Sequence, residues 1–168
     1  MIPEQTYKTL NDFRDYVVDQ AKQNLVSKNT FGNLSKALDN SYVKVSKNSF
    51  EMAFTMPKYG EFQDKGVSGV ETKYDTPFSY KDKMPPTKAF DKWIVKKGIA
   101  PRNAQGKFTS REGLKFAIAK KIFLHGIKPS LFFTKPFNEG FKKYIDVELE
   151  KAFALDVEKL FTYTLRTR

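Results

Sequence analysis

Cysteine is absent from these 168 residues, and histidine and tryptophan occur once each, as His125 and Trp93. Disulfides, thiolate metal sites and cysteine nucleophiles are thereby excluded, and a single imidazole cannot be paired within the chain into a histidine metal cluster. The composition suits a reducing cytoplasm. Long apolar runs are missing too: no segment approaches the roughly 20 apolar residues that cross a bilayer, and Met1-Ile2-Pro3-Glu4-Gln5 has no basic region followed by an apolar stretch. The expectation is a soluble protein that no signal peptide exports and no membrane holds. Acidic residues are the scarcer charge, 19 Asp+Glu against 30 Lys+Arg, which leaves a formal charge of +11.

That charge supports two kinds of partner. A basic surface draws nucleic acid through phosphate neutralisation, and it equally suits docking on an acidic protein. Lysines are spread along the chain (Lys8, Lys22, Lys28, Lys36, Lys44, Lys47, Lys58, Lys65) and outnumber arginines, whereas base readout and bidentate phosphate clamps favour arginine. Assembly electrostatics is therefore preferred to sequence-specific DNA binding.

With 40% hydrophobic residues and 16 Phe, the chain can bury a core, and its length fits one domain with appendages over residues 1–168. Leu10, Phe13, Val17 and Ala21 fall at helical spacing, predicting a first helix from residue 6 to 21 or 25, with Thr9 and Asp12 placed like a capping pair. Phe31-Gly32-Asn33 breaks the pattern. Val43 and Val45 then alternate with Tyr42, Lys44 and Ser46, and Lys47-Asn48 precedes a second alternation of Phe50, Met52, Phe54 and Met56. This reads as a hairpin whose Phe50, Met52 and Phe54 face Phe13 and Val17. The second strand ends at Pro57 and delivers Tyr59-Gly60-Glu61-Phe62-Gln63-Asp64-Lys65-Gly66 as a surface loop.

Residues 65–84 form a long polar stretch, read as a binding loop or a disordered insertion; Tyr74, Phe78 and Tyr80 are poor residues to leave in water and good interface anchors. Pro85-Pro86-Thr87 opens a short helix with Phe90, Trp93 and Ile94, closed by Gly98, and Trp93 is expected in the core. Thr109 and Glu112 form a capping box for a helix bearing Leu114, Ile118 and Ile122 and ending at His125-Gly126, where the imidazole is expected beside free carbonyls. The last helix starts with Thr134 as N-cap and Pro136 in its first turn, and carries Phe137, Phe141, Ile145, Leu149, Ala152, Phe153, Leu160 and Phe161 at helical period. Unbroken, it would be about 40 Å long at about 1.5 Å per residue. A small domain cannot cover that length, so part of it is expected against a neighbouring subunit. The layout is thus a helix-plus-hairpin core (1–66), an extended loop (67–84), a helical insertion (85–126) and a C-terminal helix (127–168).

Chemistry-bearing motifs are few. Glu61, Asp64, Glu71, Asp75 and Asp82 could gather around magnesium as nuclease carboxylates do, but a mobile loop holds octahedral geometry poorly, and they read as solvated acids. No glycine-rich phosphate loop with a suitably placed lysine and no nucleophile motif is present. The expectation is a protein that is not an enzyme and takes no cofactor or metal. Arg102-Asn103-Ala104-Gln105-Gly106-Lys107-Phe108, basic residues about a glycine turn before an aromatic, is read as a surface turn, with a DNA-binding appendage as the alternative.

Taken in order, a first helix, a hairpin, Tyr59-Gly60-Glu61 with Asp64 and Gly66, and Pro129-Ser130-Leu131-Phe132-Phe133-Thr134-Lys135-Pro136-Phe137 leading into a last helix, this chain resembles the tail-completion, or head-tail connector, proteins of the necks of tailed bacteriophages. The resemblance implies an α+β fold in which an N-terminal helix packs on a small twisted antiparallel sheet. It implies a structural virion protein, made in the host cytoplasm, whose copies close a ring between portal or adaptor and tail and seal the DNA channel, with DNA passing through unread. Tyr59, Gly60, Glu61, Phe62, Asp64, Gly66, Phe78, Tyr80, Phe132, Phe133, Phe137, Phe153, Leu160 and Phe161 are the interface candidates. A basic nucleic-acid-binding accessory protein is the alternative, and a small nuclease a third.

Overall fold

The computed structural model describes residues 3–26, 32–46, 49–102, 105–108 and 110–166, with side chains in the last helix described as far as Lys159. The fold is mixed α and β, with a two-stranded antiparallel sheet between a long N-terminal and a long C-terminal helix. Contacts divide the chain into two compact units, Met1–Pro57 with Phe132–Arg168, and Lys58–Leu131. The segments read as loop and helical insertion thus fall in one unit, together with the Tyr59 to Gly66 motif.

In the first unit, α1 (Glu4–Leu25) buries Leu10, Phe13, Val17, Val18, Ala21 and Leu25 along one face. The helix begins earlier than the capping signal suggests. Pro3 occupies the cap position, where a missing N–H costs nothing, and Thr9 and Asp12 lie inside the helix. Its first amides are held from far along the chain: Gln5 N and Thr6 N donate to the Asp156 carboxylate at 3.1 and 2.8 Å.

A short helix the sequence did not announce, α2 (Asn33–Leu38), follows Gly32 at φ 75 and buries Leu34 and Leu38 against Val18, Ala21, Leu25 and Phe132. Strands β1 (Tyr42–Val45) and β2 (Phe50–Ala53) pair with Val43 opposite Met52 and Val45 opposite Phe50, and Ser46 N donates to Ser49 O at 2.8 Å. The turn residues Lys47 and Asn48, like Phe31, lie outside the described residues. Phe54 does meet Phe13, edge-on at 6.0 Å between ring centroids. Phe50 does not: at the turn end of a ribbon this short it stands 37% exposed, and Met52 is half-buried. Two strands alone twist too strongly to keep a whole face against one helix.

The C-terminal helix runs without interruption through α6 (Thr134–Gly140), a π-helical stretch (Phe141–Glu148) and α7 (Leu149–Arg166). Phe133 takes the cap position and Thr134 is the first helical residue, so the expected Thr134 cap is displaced by one. This helix lies antiparallel to α1: Asn24 Nδ2 reaches Phe132 O at 3.3 Å, Phe13 packs on Phe137 and Tyr144, and Asp156 meets the first turn of α1. Gly140 lets the two approach, since a Cβ there would sit 2.8 Å from Tyr16 Cδ1 and 3.0 Å from Phe13 Cε2. α1, about 33 Å long at about 1.5 Å per residue, covers this helix as far as Asp156.

In the second unit, Lys58–Lys65 is a helix, α3, where a surface loop was expected. Pro57 leads in, Glu61 and Lys65 complement the helix dipole at its two ends, and Gly66 at φ 76 ends it. Residues 66–80 carry no long element, yet they are ordered by specific bonds rather than structureless. Val67 and Ile127 exchange both backbone hydrogen bonds at 2.8 Å, Ser68 N donates to Phe78 O at 2.8 Å, and Tyr80 N donates to Ser68 O at 2.9 Å. Side chains supply the remainder: Tyr74 N donates to Ser68 Oγ at 3.0 Å and Thr76 Oγ1 to Gly66 O at 3.0 Å. This strap is pressed on the chain leaving the last helix of the unit. A Cβ on Gly69 would fall 2.1 Å from Leu124 O, and one on Gly126 would fall 2.0 Å from Val67 O.

That last helix is α5 (Arg111–His125), capped by Ser110 Oγ, which accepts from Gly113 N at 3.1 Å; Thr109 lies outside the described residues. Before it, a 3-10 turn (Thr87–Phe90) runs into α4 (Asp91–Lys96). α4 ends as expected at Gly98, φ 61, with Gly98 N on Val95 O and Ile99 N on Ile94 O. Its fully buried residue is Ile94, at 1% exposure; Trp93 is only half-buried, because one turn of helix turns adjacent residues about 100° apart and only one faces the core.

Candidate functional site

Two features could receive a partner, one in each unit. In the second unit, the strap and the end of α3 enclose an open cleft of about 450 Å3 lined by Phe62, Val67, Pro77, Phe78, Tyr80 and Ile127, with Lys81 at its edge. Its wall is built by the hydrogen bonds that fold the strap. Phe78 lies edge-on to Phe62 at 4.7 Å and 88°, and Tyr80 rests on Phe123 at 6.3 Å. Burial pushes the Tyr80 phenol above its ordinary pKa. The cleft offers aromatic packing, a hydroxyl and an ammonium group.

In the first unit, α7 continues ten residues beyond Asp156, about 15 Å at about 1.5 Å per residue. Asp156 caps the first turn of α1, so this overhang passes the point where α1 begins. Val157, Leu160, Phe161 and Leu165 recur there at three- and four-residue spacing in the sequence. The side chains of Leu160 and Phe161 lie outside the described residues.

The predicted interface residues scatter over different environments. Phe62, Phe78 and Tyr80 come together in the cleft. Tyr59 is 49% exposed on α3 and Glu61 is exposed beside it, whereas Gly60 and Gly66 are buried. Asp64 is 3% exposed, and its backbone carbonyl accepts from Ser130 N and Leu131 N at 3.0 Å. Phe132 is fully buried, and Phe133 and Phe137 pack on Phe54 at 5.3 and 5.8 Å. These three belong to the subunit's own core. Phe153 is 56% exposed, while Ala152 one position earlier is buried.

His125 faces Thr72 Oγ1 at 3.3 Å and Glu71 Oε2 at 3.8 Å instead of the expected helix carbonyls. Among the described residues no three His, Asp or Glu side chains gather as a metal site, and no helix is long and apolar enough to cross a membrane. Sequence reasoning missed Val67 and Ile127, whose pairing is an isolated bridge between segments 60 residues apart and leaves no periodic signal. It also missed Asp156, a lone acid in a helical pattern. No protein-family model, curated protein or solved structure matches the chain.

Proposed function

We propose that this protein is a structural subunit of a tailed-phage neck, a connector whose copies form a ring joining portal or adaptor to tail around the DNA channel. The observation that carries the reading is the α7 overhang: ten helical residues with apolar spacing that extend past the α1 residues serving the rest of the helix. A ring needs two different patches on each copy, one meeting the other on the next copy. The overhang supplies one, and the aromatic cleft of Phe62, Phe78 and Tyr80 supplies the other. The order of helix, hairpin, Tyr59-Gly60-Glu61 segment and Pro-Phe entry into the last helix supports the same reading through the resemblance. The function is then binding and sealing, with no chemical step.

The test compares the full chain with a chain ending at Glu158. Light scattering coupled to size separation, over a rising protein concentration, is expected to show closed oligomers for the full chain and folded monomers, by circular dichroism, for the shortened one. A full chain that stays monomeric at hundreds of micromolar, or a shortened chain that assembles equally well, overturns the proposal.

A further inference from the structure

Positive charge is concentrated in one quarter of the chain. Residues 87–128 hold 11 of the 30 Lys+Arg but only two acids, Asp91 and Glu112, and so account for +9 of the +11 formal charge. Both acids are turned to one buried lysine: Lys115, 5% exposed, reaches Asp91 Oδ1 at 2.9 Å and Glu112 Oε1 at 2.5 Å. The hydrogen bond to Glu112, and then that to Asp91, hold this ammonium above the usual lysine pKa. This trio ties α4 to α5 and engages both acids of the segment, which holds ten further cations.

Those cations are outside. Lys88 is exposed in the 3-10 turn, and Lys92 and Lys96 are exposed on α4, about 6 Å apart along its axis. Arg111, Lys120 and Lys121 are exposed on α5. Between the two helices, Arg102 pairs with Phe108 across a small antiparallel bridge and lays its guanidinium 4.1 Å from the centre of that ring, which is 69% exposed. Arg102 Nη1 donates to Gly106 O at 2.9 Å, and an arginine so stacked presents its other N–H groups to an incoming acceptor.

We infer that the α4–α5 arm is a binding surface for the sugar-phosphate backbone of nucleic acid, engaging it without regard to sequence. Duplex DNA presents one phosphate per about 3.4 Å along each strand, so a dense set of exposed lysines and arginines meets a dense acceptor row and releases its counterions. A bilayer surface would call for a continuous apolar stripe beside the cations. α4 is six residues long, and the arm's exposed apolar residues, Val95, Ile99, Phe108 and Phe116, are spread over α4, the connector and α5 rather than along one helix. The inference goes beyond the ring and does not need it: a monomer with this arm would still hold DNA.

The experiment uses the full chain and a fluorescent 30-base-pair duplex of arbitrary sequence, followed by anisotropy between 50 and 200 mM salt. Lys88→Gln with Lys92→Gln and Lys96→Gln is compared with Lys8→Gln, Lys36→Gln and Lys44→Gln, which removes the same charge from exposed lysines of the other unit. The arm variant is expected to weaken binding at least about tenfold at 50 mM salt and to lower the salt slope by about 3, while the control changes it less than about twofold. Lys120→Gln with Lys121→Gln gives a second, independent arm variant, and circular dichroism verifies that each is folded. Equal losses in arm and control, or no duplex binding at 50 mM salt, overturn the proposal. So does tighter retention on phosphatidylserine vesicles than on duplex at the same salt, or displacement of the duplex by polyglutamate as readily as by unlabelled DNA.

Discussion

The cleft depends on how closely the strap lies on the end of α5, and alanine at three glycines separates the reasons. Gly98 has φ 61 with no atom within 4 Å of a built Cβ, so Gly98→Ala meets only the left-handed backbone penalty, about 1 kcal/mol. Gly69 has an ordinary φ, but its Cβ would lie 2.1 Å from Leu124 O and 2.5 Å from Gly126 N, far inside van der Waals contact. Relief requires the strap to back away by more than 1 Å. The bonds at stake are Val70 N to Phe123 O at 3.0 Å, Glu71 N to Leu124 O at 2.9 Å and the Val67–Ile127 pair at 2.8 Å. Overpacking costs about 1–3 kcal/mol and each lost hydrogen bond about 1 kcal/mol, so Gly69→Ala should destabilise the unit by about 3–5 kcal/mol. Gly126 combines φ 73 with a Cβ 2.0 Å from Val67 O, and Gly126→Ala should cost at least as much. Trp93, the sole tryptophan, lies in the same unit, so urea unfolding followed by its fluorescence reports the loss directly. A Gly69→Ala loss no greater than that of Gly98→Ala would refute the close approach, and with it the wall of the cleft.

Phe13 is fully buried among Phe54, Phe137, Phe141 and Tyr144, so Phe13→Ala should cost about 3–5 kcal/mol in chemical denaturation, and more than Phe50→Ala, whose ring is 37% exposed. Comparable losses would mean that the hairpin packs by Phe50 after all. For Asp156, burial opposes the ionised form, but the amides of Thr6 and Gln5 outweigh it and hold the carboxyl below its ordinary 3.8. A depressed folded pKa contributes stability that is present above the unfolded value and lost as pH falls through the folded one. The stability gap between the native chain and Asp156→Asn, measured by thermal unfolding across pH, should therefore be constant near neutrality and narrow below about pH 4. A gap that widens on acidification would contradict the sign.

Part of the fold was legible because it follows helical period: α1 buries Leu10, Phe13, Val17 and Ala21 as spaced. Leu114, Ile118 and Ile122 of α5, by contrast, are half-buried beside buried Lys115 and Ala119, and Phe141 of the C-terminal helix is 40% exposed. Gly98 and Gly126 stop helices where the sequence places them. The hairpin was legible by alternation, though not which of its residues reach α1, since two strands are too few to hold a flat face. What escaped was structure carried by single long-range contacts. The strap from Val67 to Tyr80 is ordered by Ser68, Thr76 and one bridge to Ile127, and none of these repeats along the chain, so the segment looked like an unstructured polar run. Its aromatic residues were picked out for the right reason, poor solvation, but two of them first find partners in Phe62 and Phe123.

Length alone suggested that the last helix exceeds what its own small domain can cover, and the arithmetic was incomplete because it did not count the length of α1. Once α1 is counted, the surplus shrinks to the residues beyond Asp156. A truncation after Glu150 would remove buried Ala152 and the carboxylate that caps α1, and would confuse loss of assembly with loss of folding. Charge has the same character. A total of +11 spread over many lysines gives no direction, and it becomes a directed surface only when Asp91 and Glu112 are seen to be engaged by Lys115. In both cases the sequence supplies the quantity, and the partner of one buried group decides where that quantity is exposed.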